Sequence, residues 1–211
     1  MSPIDDFTFD DRLRQQIARN VTAFNDGRHD PHELTGAAVA VTIFSHEGQG
    51  AVIVTKRTPR LKDHGGQWAM PGGRIDGGEN AYQASLRELH EEIGLALPDT
   101  AILGTLDDYT TRSGFVITPV VVWSDATLED MSPNPDEVAS IHAFTFDELM
   151  RRDSPNLERI PESERQVLSM NYQDNRIYAP TAAMLYQFRE VALRGLKTRV
   201  SHFDQPVFAW K

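Results

Sequence analysis

The sequence has no cysteine among its 211 residues. This absence excludes disulfide bonds and zinc sites that are built from cysteine ligands. Long hydrophobic runs are also missing, because no segment approaches the roughly 18 apolar residues that a membrane-spanning helix needs. The acidic segment 1–6 lacks the apolar stretch of a signal peptide. We therefore expect a cytoplasmic protein with no membrane partner.

Positive charge is scarce. The chain has 21 Lys and Arg residues against 31 Asp and Glu residues, which gives a formal net charge of −10. A general nucleic-acid binder needs a basic surface, so we expect no nucleic-acid partner. An acidic protein that acts on an anionic substrate needs a metal ion or a local group of basic side chains at its site.

The spacing of apolar residues predicts a mixture of strands and helices. β-Branched runs predict strands over 36–45, 50–57, 101–109, 115–123 and 139–146. Helical spacing and capping residues predict helices over 80–93, 147–152 and 181–193, and the polar segment 153–164 is predicted to be a surface loop. This order of elements predicts an α/β fold in which helices cover both sides of a sheet.

The length suits one elaborated domain with appended segments. Near the N-terminus, Leu13, Ile17 and Val21 recur at helical spacing, and Thr8 or Asp10 can cap the helix. We predict an N-terminal helical extension over 1–35, a catalytic domain over 36–195 and a C-terminal tail over 196–211.

The predicted helix 80–93 carries a row of carboxylates. Glu88, Glu91 and Glu92 stand at positions i, i+3 and i+4, so they share one helix face. Three like charges on one face destabilise a helix, and a bound cation would remove that penalty. Because the ligands are carboxylate oxygens, we expect Mg²⁺ or Mn²⁺, which could neutralise phosphate charge and activate a water molecule. Gly72 and Gly73 allow close backbone approach, so a carbonyl there is a further candidate ligand.

The segment Gly73–Leu95 matches the pattern G-x5-E-x7-R-E-U-x-E-E-x-G-U, where U is apolar, at every defined position. This pattern is the Nudix box, so the chain resembles the Nudix hydrolases. The resemblance implies an α/β/α sandwich with a mixed sheet and a catalytic strand–loop–helix–loop unit. The alternative is a solvated charged helix face, which is how most charge runs are used.

The resemblance also assigns roles to individual residues. It implies that metal ions are bound by Glu88, Glu91, Glu92 and the Gly72 carbonyl. It implies that Arg87 and Glu79 support these carboxylates by charge pairing. We predict Glu88, Glu91 and Arg87 as catalytic residues. The general base stays open between Glu88 and a loop carboxylate, for which Glu137, Asp136, Glu129 and Asp130 compete.

The preceding segment resembles a second signature, which belongs to the coenzyme A pyrophosphatase branch of the Nudix hydrolases. It matches that signature at Thr55, Arg57, Gly66, Pro71, Gly72 and Gly73. It departs from it at Thr58, Lys62 and Met70. The departure at Lys62 keeps the positive charge but loses the bidentate geometry of arginine.

Basic side chains cluster in this same segment. We predict that Arg57, Arg60 and Lys62 bind the phosphates of the substrate, because the cluster adjoins the expected metal site. The alternative is that these charges only keep a strand edge and a loop soluble. Aromatic residues could line a base pocket or belong to the core, and the candidates are Trp68, Tyr109, Phe115 and Tyr178. His64 could contact phosphate or have a plain loop role.

Three functions follow, in order of preference. The first is Mg²⁺-dependent hydrolysis of coenzyme A or acyl-coenzyme A to 3′,5′-ADP and 4′-phosphopantetheine or its acyl form. The second keeps the reaction but takes ADP-ribose, a sugar nucleotide or a dinucleotide as the substrate. The third is a nucleotide-sensing Nudix domain without catalysis, which the complete set of box carboxylates disfavours. The expected partner is a small-molecule diphosphate, and a homodimer is possible.

Overall fold

A computed structural model of the protein describes residues 1–24, 34–61 and 64–210. The strands are β1 (Thr35–His46), β2 (Gln49–Arg57), β3 (Trp68–Ala69), β4 (Gly72–Arg74), β5 (Ile102–Thr105), β6 (Tyr109–Thr110), β7 (Phe115–Trp123), β8 (Val138–Thr145), β9 (Asn156–Ile160), β10 (Ser163–Tyr172) and β11 (Asn175–Tyr178). The helices are α1 (Asp11–Ala23), α2 (Ala81–Ile93), α3 (Phe146–Leu149) and α4 (Thr181–Phe188), and a π-helical turn over Arg189–Leu193 continues α4.

The main sheet is mixed and is built around β1. Its order is β3-β2-β1-β7-β5, with β4 paired to β1, β6 paired to β7 and β8 paired to β2. The pairing of β1 with β7 is parallel, whereas the other pairings are antiparallel. The predicted mixed sheet is therefore confirmed, and the strands predicted over 36–45 and 50–57 form an antiparallel pair.

Helices cover both faces of this sheet. Alternate β1 residues point in opposite directions, as a period of two requires. Phe44 packs in the same buried cluster as Leu89 of α2. Val41 and Ile43 pack in the other cluster, which contains Leu13 of α1 and residues of α4. The predicted sandwich and N-terminal helix are confirmed, and Asp10 is the residue that caps α1, through a hydrogen bond from the Leu13 N–H.

The prediction of a surface loop over 153–164 is wrong. The segment contains β9 and the start of β10, which form a second, three-stranded sheet with β11. The side chains of β9 are half-buried or exposed, so the strand lacks a clear apolar face and reads as a loop. Pairing with the more apolar β10, where Leu168 and Met170 are buried, holds it in place. The strand predicted over 101–109 is likewise interrupted between β5 and β6.

The two ends of the chain pack against the domain. The Ile4 N–H donates to the Leu193 carbonyl, and the Asp204 N–H donates to the Gln166 carbonyl in β10. The domain boundaries predicted after residues 35 and 195 stay predictions. Within the described ranges, no helix combines the length and the apolar character that crossing a bilayer requires.

Candidate active site

Helix α2 carries the acidic residues and packs against β1 and β4 of the main sheet. Asn80 caps it in a capping box with Gln83, and Gly94 ends it in the left-handed conformation at φ 74°. Both caps can be recognised from the local sequence, so the predicted ends of the helix agree with the observed ones. The burial of the carboxylates is graded along the face. Glu92 is 3% exposed, whereas the side chains of Glu88 and Glu91 are 14% and 54% exposed.

Arg87 binds three of the neighbouring carboxylates at once. Its Nε donates to Glu79 at 2.8 Å, and its Nη1 donates to Glu88 at 2.8 Å and to Glu91 at 2.9 Å. Its Nη2 donates to Glu79 at 3.1 Å and to the Arg74 carbonyl at 3.0 Å. These bonds engage every N–H direction of a guanidinium, which only arginine offers in this fixed geometry. Arg87 therefore fixes the position of the carboxylates beside it.

Two glycines bring the backbone against these carboxylates. A Cβ atom at position 73 would lie 2.6 Å from the carboxylate carbon of Glu88, and one at position 72 would lie 2.6 Å from Val39 Cγ1. Both distances are too short for a real Cβ atom. Burial raises the pKa of Glu92, and the Gly72 backbone N–H opposes this by favouring the ionised carboxylate. Gly72 and Gly73 are thus required for the close approach of β4 to α2 and β1.

The electrostatics of the site suit a cation. Burial raises the pKa of Glu92 to about 8, against the lowering effect of Arg57, and the charges of Glu137 and Glu88 raise it further. Burial also raises the pKa of Glu88, although its hydrogen bond from Arg87 opposes this. A bound divalent cation would favour the ionised forms of both. The same interactions place Glu137 close to these two residues.

The carboxylates of α2 do not form a metal-binding cluster in this structure. In the part of the chain that the structure describes, no group of three or more Asp, Glu or His side chains is arranged to hold a metal ion. Glu88 and Glu91 instead accept hydrogen bonds from Arg87. The donor types fit Mg²⁺ or Mn²⁺, but binding would require these carboxylates to reorient. The assignment of Glu88, Glu91, Glu92 and the Gly72 carbonyl as ligands stays a prediction.

A cleft of about 550 Å³ opens beside the two glycines. Arg57 lines it, and the Arg57 Nε is buried without a hydrogen-bond partner among the described residues. Arg60 is exposed in the turn after β2 and does not line the cleft. Lys62 lies outside the described residues. The lining also includes His64.

Aromatic residues form much of the remaining wall. Trp68, Phe115 and Tyr178 line the cleft. Tyr109 does not, because it is 1% exposed and its hydroxyl donates to the Phe203 carbonyl in the core. The C-terminal segment contributes Gln205, Phe208 and Ala209 to the lining. These residues were not predicted as part of the site, although the aromatic content of the sequence 203–210 could have indicated a packed segment.

The comparison with known proteins agrees with this geometry. A family model described as the NUDIX domain matches residues 34–168. The chain belongs to the Nudix family. Nudix hydrolases use divalent metal ions and act on small-molecule diphosphates. The Nudix fold predicted from the box is therefore confirmed.

Three relatives illustrate the similarity to other Nudix hydrolases. The chain is 34% identical to the Nudix hydrolase NudL of Pectobacterium atrosepticum, over 74% of this chain and 82% of that protein. It is 32% identical to NudL of an Enterobacter species, over 91% of this chain and 97% of that protein. It is 30% identical to Nudix hydrolase 3 of Caenorhabditis elegans, over 66% of this chain but only 61% of the worm protein. None of these names specifies a substrate.

Proposed function

We propose that this Nudix protein hydrolyses the diphosphate bridge of coenzyme A or an acyl-coenzyme A, with Mg²⁺ or Mn²⁺ as the metal ion. The products are 3′,5′-ADP and 4′-phosphopantetheine or its acyl form. One observation carries the proposal: Arg57, Gly72 and Gly73 of the coenzyme A-like signature line the same cleft, beside the buried Glu92 of the Nudix box. This proximity supports the proposal that the two signatures serve one site.

The acidic and the basic residues have different roles in the proposed reaction. Glu88, Glu91, Glu92 and the Gly72 carbonyl would hold the metal ion, which supplies charge neutralisation and an acidified water molecule when bound. Arg57 lies opposite Glu92 and can hold a phosphate oxygen of the substrate. Arg87 holds Glu88 and Glu91 in position rather than contacting the substrate. Glu88 and Glu137 are the candidates for the base that takes the proton from the attacking water.

The substrate assignment draws on the signature and its departures. Met70 replaces an aromatic residue of the signature, but it is 3% exposed, so the position keeps its buried apolar role. We propose Arg57, Arg60 and Lys62 as phosphate-binding residues, because coenzyme A carries a 3′-phosphate in addition to its diphosphate. Arg60 would serve a phosphate that extends out of the cleft. The lysine at position 62 is the feature that favours the second candidate, a hydrolase of ADP-ribose or of another nucleoside diphosphate derivative.

The decisive experiment compares substrates directly. The full-length protein is incubated with coenzyme A, ADP-ribose or NADH in the presence of Mg²⁺ or Mn²⁺, and the products are separated and identified. We expect 3′,5′-ADP and 4′-phosphopantetheine from coenzyme A, at the highest kcat/KM of the three. The Glu92→Gln variant serves as the blank for contaminating hydrolases. Faster hydrolysis of ADP-ribose than of coenzyme A would replace the first assignment by the second.

A further inference from the structure

The C-terminal segment is anchored firmly beside the cleft. Asp204 is 4% exposed, and it accepts hydrogen bonds from Arg112 Nε at 3.1 Å and from Ser163 Oγ at 2.6 Å. The Gln205 side chain accepts a further hydrogen bond from the Arg112 N–H at 2.8 Å. Trp210 closes the turn, since its Nε1 donates to the Gln205 carbonyl at 2.8 Å. The residues between these anchors are therefore held in one place.

This anchored turn carries an exposed aromatic side chain to the cleft. Phe208 lies in the short 3₁₀ turn Val207–Ala209 and is 55% exposed. Its ring meets that of Tyr178 edge to face, with centroids 5.4 Å apart and an interplanar angle of 90°. Both rings line the cavity that reaches Gly72 and Gly73. Phe208 thus presents an open aromatic surface to this cavity.

We propose that Phe208 is a stacking platform for the purine base of the substrate, with Tyr178 holding its ring at right angles. This inference rests on one part of the proposed function, namely that the substrate contains a nucleotide. A planar base gains most from a fixed aromatic surface, because stacking requires neither partner to lose much flexibility. The pantetheine arm is a flexible chain with amide groups, and it gains less from such a surface. The position of Phe208 at the cleft favours the base as its occupant.

The chain offers a matched control on the same turn. Val207 is 42% exposed, similar to Phe208, but it does not line the cleft. Loss of either side chain removes a largely exposed apolar group, so neither change should disturb folding strongly. A difference between the two variants therefore reports on the cleft rather than on the stability of the segment.

The test measures equilibrium binding to the whole protein by calorimetry, with ADP, inorganic pyrophosphate and 4′-phosphopantetheine as probes. We expect Phe208→Ala to weaken ADP binding about tenfold, the scale of one base–aromatic stack. We expect it to leave the affinity for pyrophosphate and for 4′-phosphopantetheine unchanged, since neither carries a base. Phe208→Trp should restore ADP binding, and Val207→Ala should match the unmodified protein throughout.

The outcomes separate this inference from the proposed function. Unchanged ADP affinity in Phe208→Ala would overturn it, as would an equal loss of pyrophosphate affinity, which would indicate general damage to the site. Weaker binding of 4′-phosphopantetheine without weaker binding of ADP would assign Phe208 to the other half of the substrate and would also overturn it. Failure to hydrolyse coenzyme A would overturn the proposed function alone, because ADP binding does not depend on that substrate.

Discussion

Gly73 and Glu88 are so close that a Cβ atom at position 73 would lie 2.6 Å from the carboxylate carbon of Glu88. Gly73→Ala should therefore displace the Glu88 carboxylate from its position beside Gly73. We expect kcat to fall at least tenfold, as is usual when a reacting group is displaced by about an ångström. Steady-state rates measured across a metal titration provide the check.

Gly77→Ala is the matched control, because a Cβ atom at position 77 meets no atom within 4 Å, and it should retain full activity. Equal activities of the two variants would show that the position of Glu88 is unimportant.

Glu92 gives a prediction about metal binding. Glu92→Gln preserves the size of the side chain and removes its charge, so the variant should stay folded and lose most of its turnover. Saturating Mg²⁺ should raise the Tm of the unmodified protein by roughly 5 °C, through preferential binding to the folded state. The same titration should leave the Tm of Glu92→Gln nearly unchanged. Wild-type rates in this variant at saturating Mg²⁺ would remove Glu92 from the metal site.

Arg87 gives a prediction in which activity and stability change together. Arg87→Ala leaves the carboxylates of Glu79, Glu88 and Glu91 without their shared hydrogen-bond donor. We expect a Tm lower by roughly 2–4 °C and a larger metal requirement for half-maximal rate. Arg87→Lys should recover little of either, because an ammonium group cannot make the same set of bonds. Arg19→Ala is the control, since Arg19 is a helical arginine that donates a hydrogen bond to Gln15 in an exposed pair. An equally large decrease of the Tm in Arg19→Ala would mean that the hydrogen bonds of Arg87 stabilise the protein no more than an exposed helical arginine does.

Arg57 at the end of β2 and Arg60 in the turn that follows it should differ in their effect on substrate dependence. Arg57 lines the cleft beside Glu92, so Arg57→Ala should raise KM and lower kcat for any diphosphate substrate. Arg60 is exposed outside the cleft, so its removal should matter only for a phosphate that extends beyond it. We expect Arg60→Ala to raise KM for coenzyme A but not for dephospho-coenzyme A, which lacks the 3′-phosphate. Equal effects of Arg60→Ala on the two substrates would exclude a contact with the 3′-phosphate.

Asp204 gives a prediction about acid stability. Burial raises the pKa of Asp204, but hydrogen bonds from Arg112, Ser163 and the Gln205 N–H outweigh it and hold the pKa at about 2. The pKa of Asp204 is lower in the folded state than its ordinary value of 3.8, so the ionised side chain stabilises the fold at pH values above 3.8. This contribution is lost as the pH falls through about 2. The Tm difference between the unmodified protein and Asp204→Asn should therefore be constant above about pH 5 and shrink towards pH 2. A Tm difference that does not change with pH would mean that Asp204→Asn acts through packing rather than through the lost charge.

Helix α2 could be predicted from the sequence because its signals are local. Asn80 and Gly94 set its ends, and the spacing of Glu88, Glu91 and Glu92 sets their common face. The second sheet could not be predicted in the same way. β9 has side chains that are mostly exposed, and its pairing with β10 determines its conformation rather than its own apolar pattern.

The site could be predicted only in part for a related reason. Arg57 and the glycines lie within a short segment that adjoins the Nudix box, so one motif located them together. Phe208 reaches the cleft through contacts such as Asp204 with Arg112, which join positions far apart in the chain. No spacing rule connects such positions, and only the folded structure brings them together.

The parallel pairing of β1 with β7 has a consequence for how the enzyme is made. Thr35 pairs with Phe115, and Ile43 pairs with Trp123, so each pair joins residues about eighty positions apart. The whole Nudix box lies within that interval. During synthesis, the acidic helix leaves the ribosome before β7, which pairs with β1 in the sheet beneath the helix. The nascent chain must therefore carry the carboxylates of the Nudix box through a period in which the sheet that supports them is incomplete.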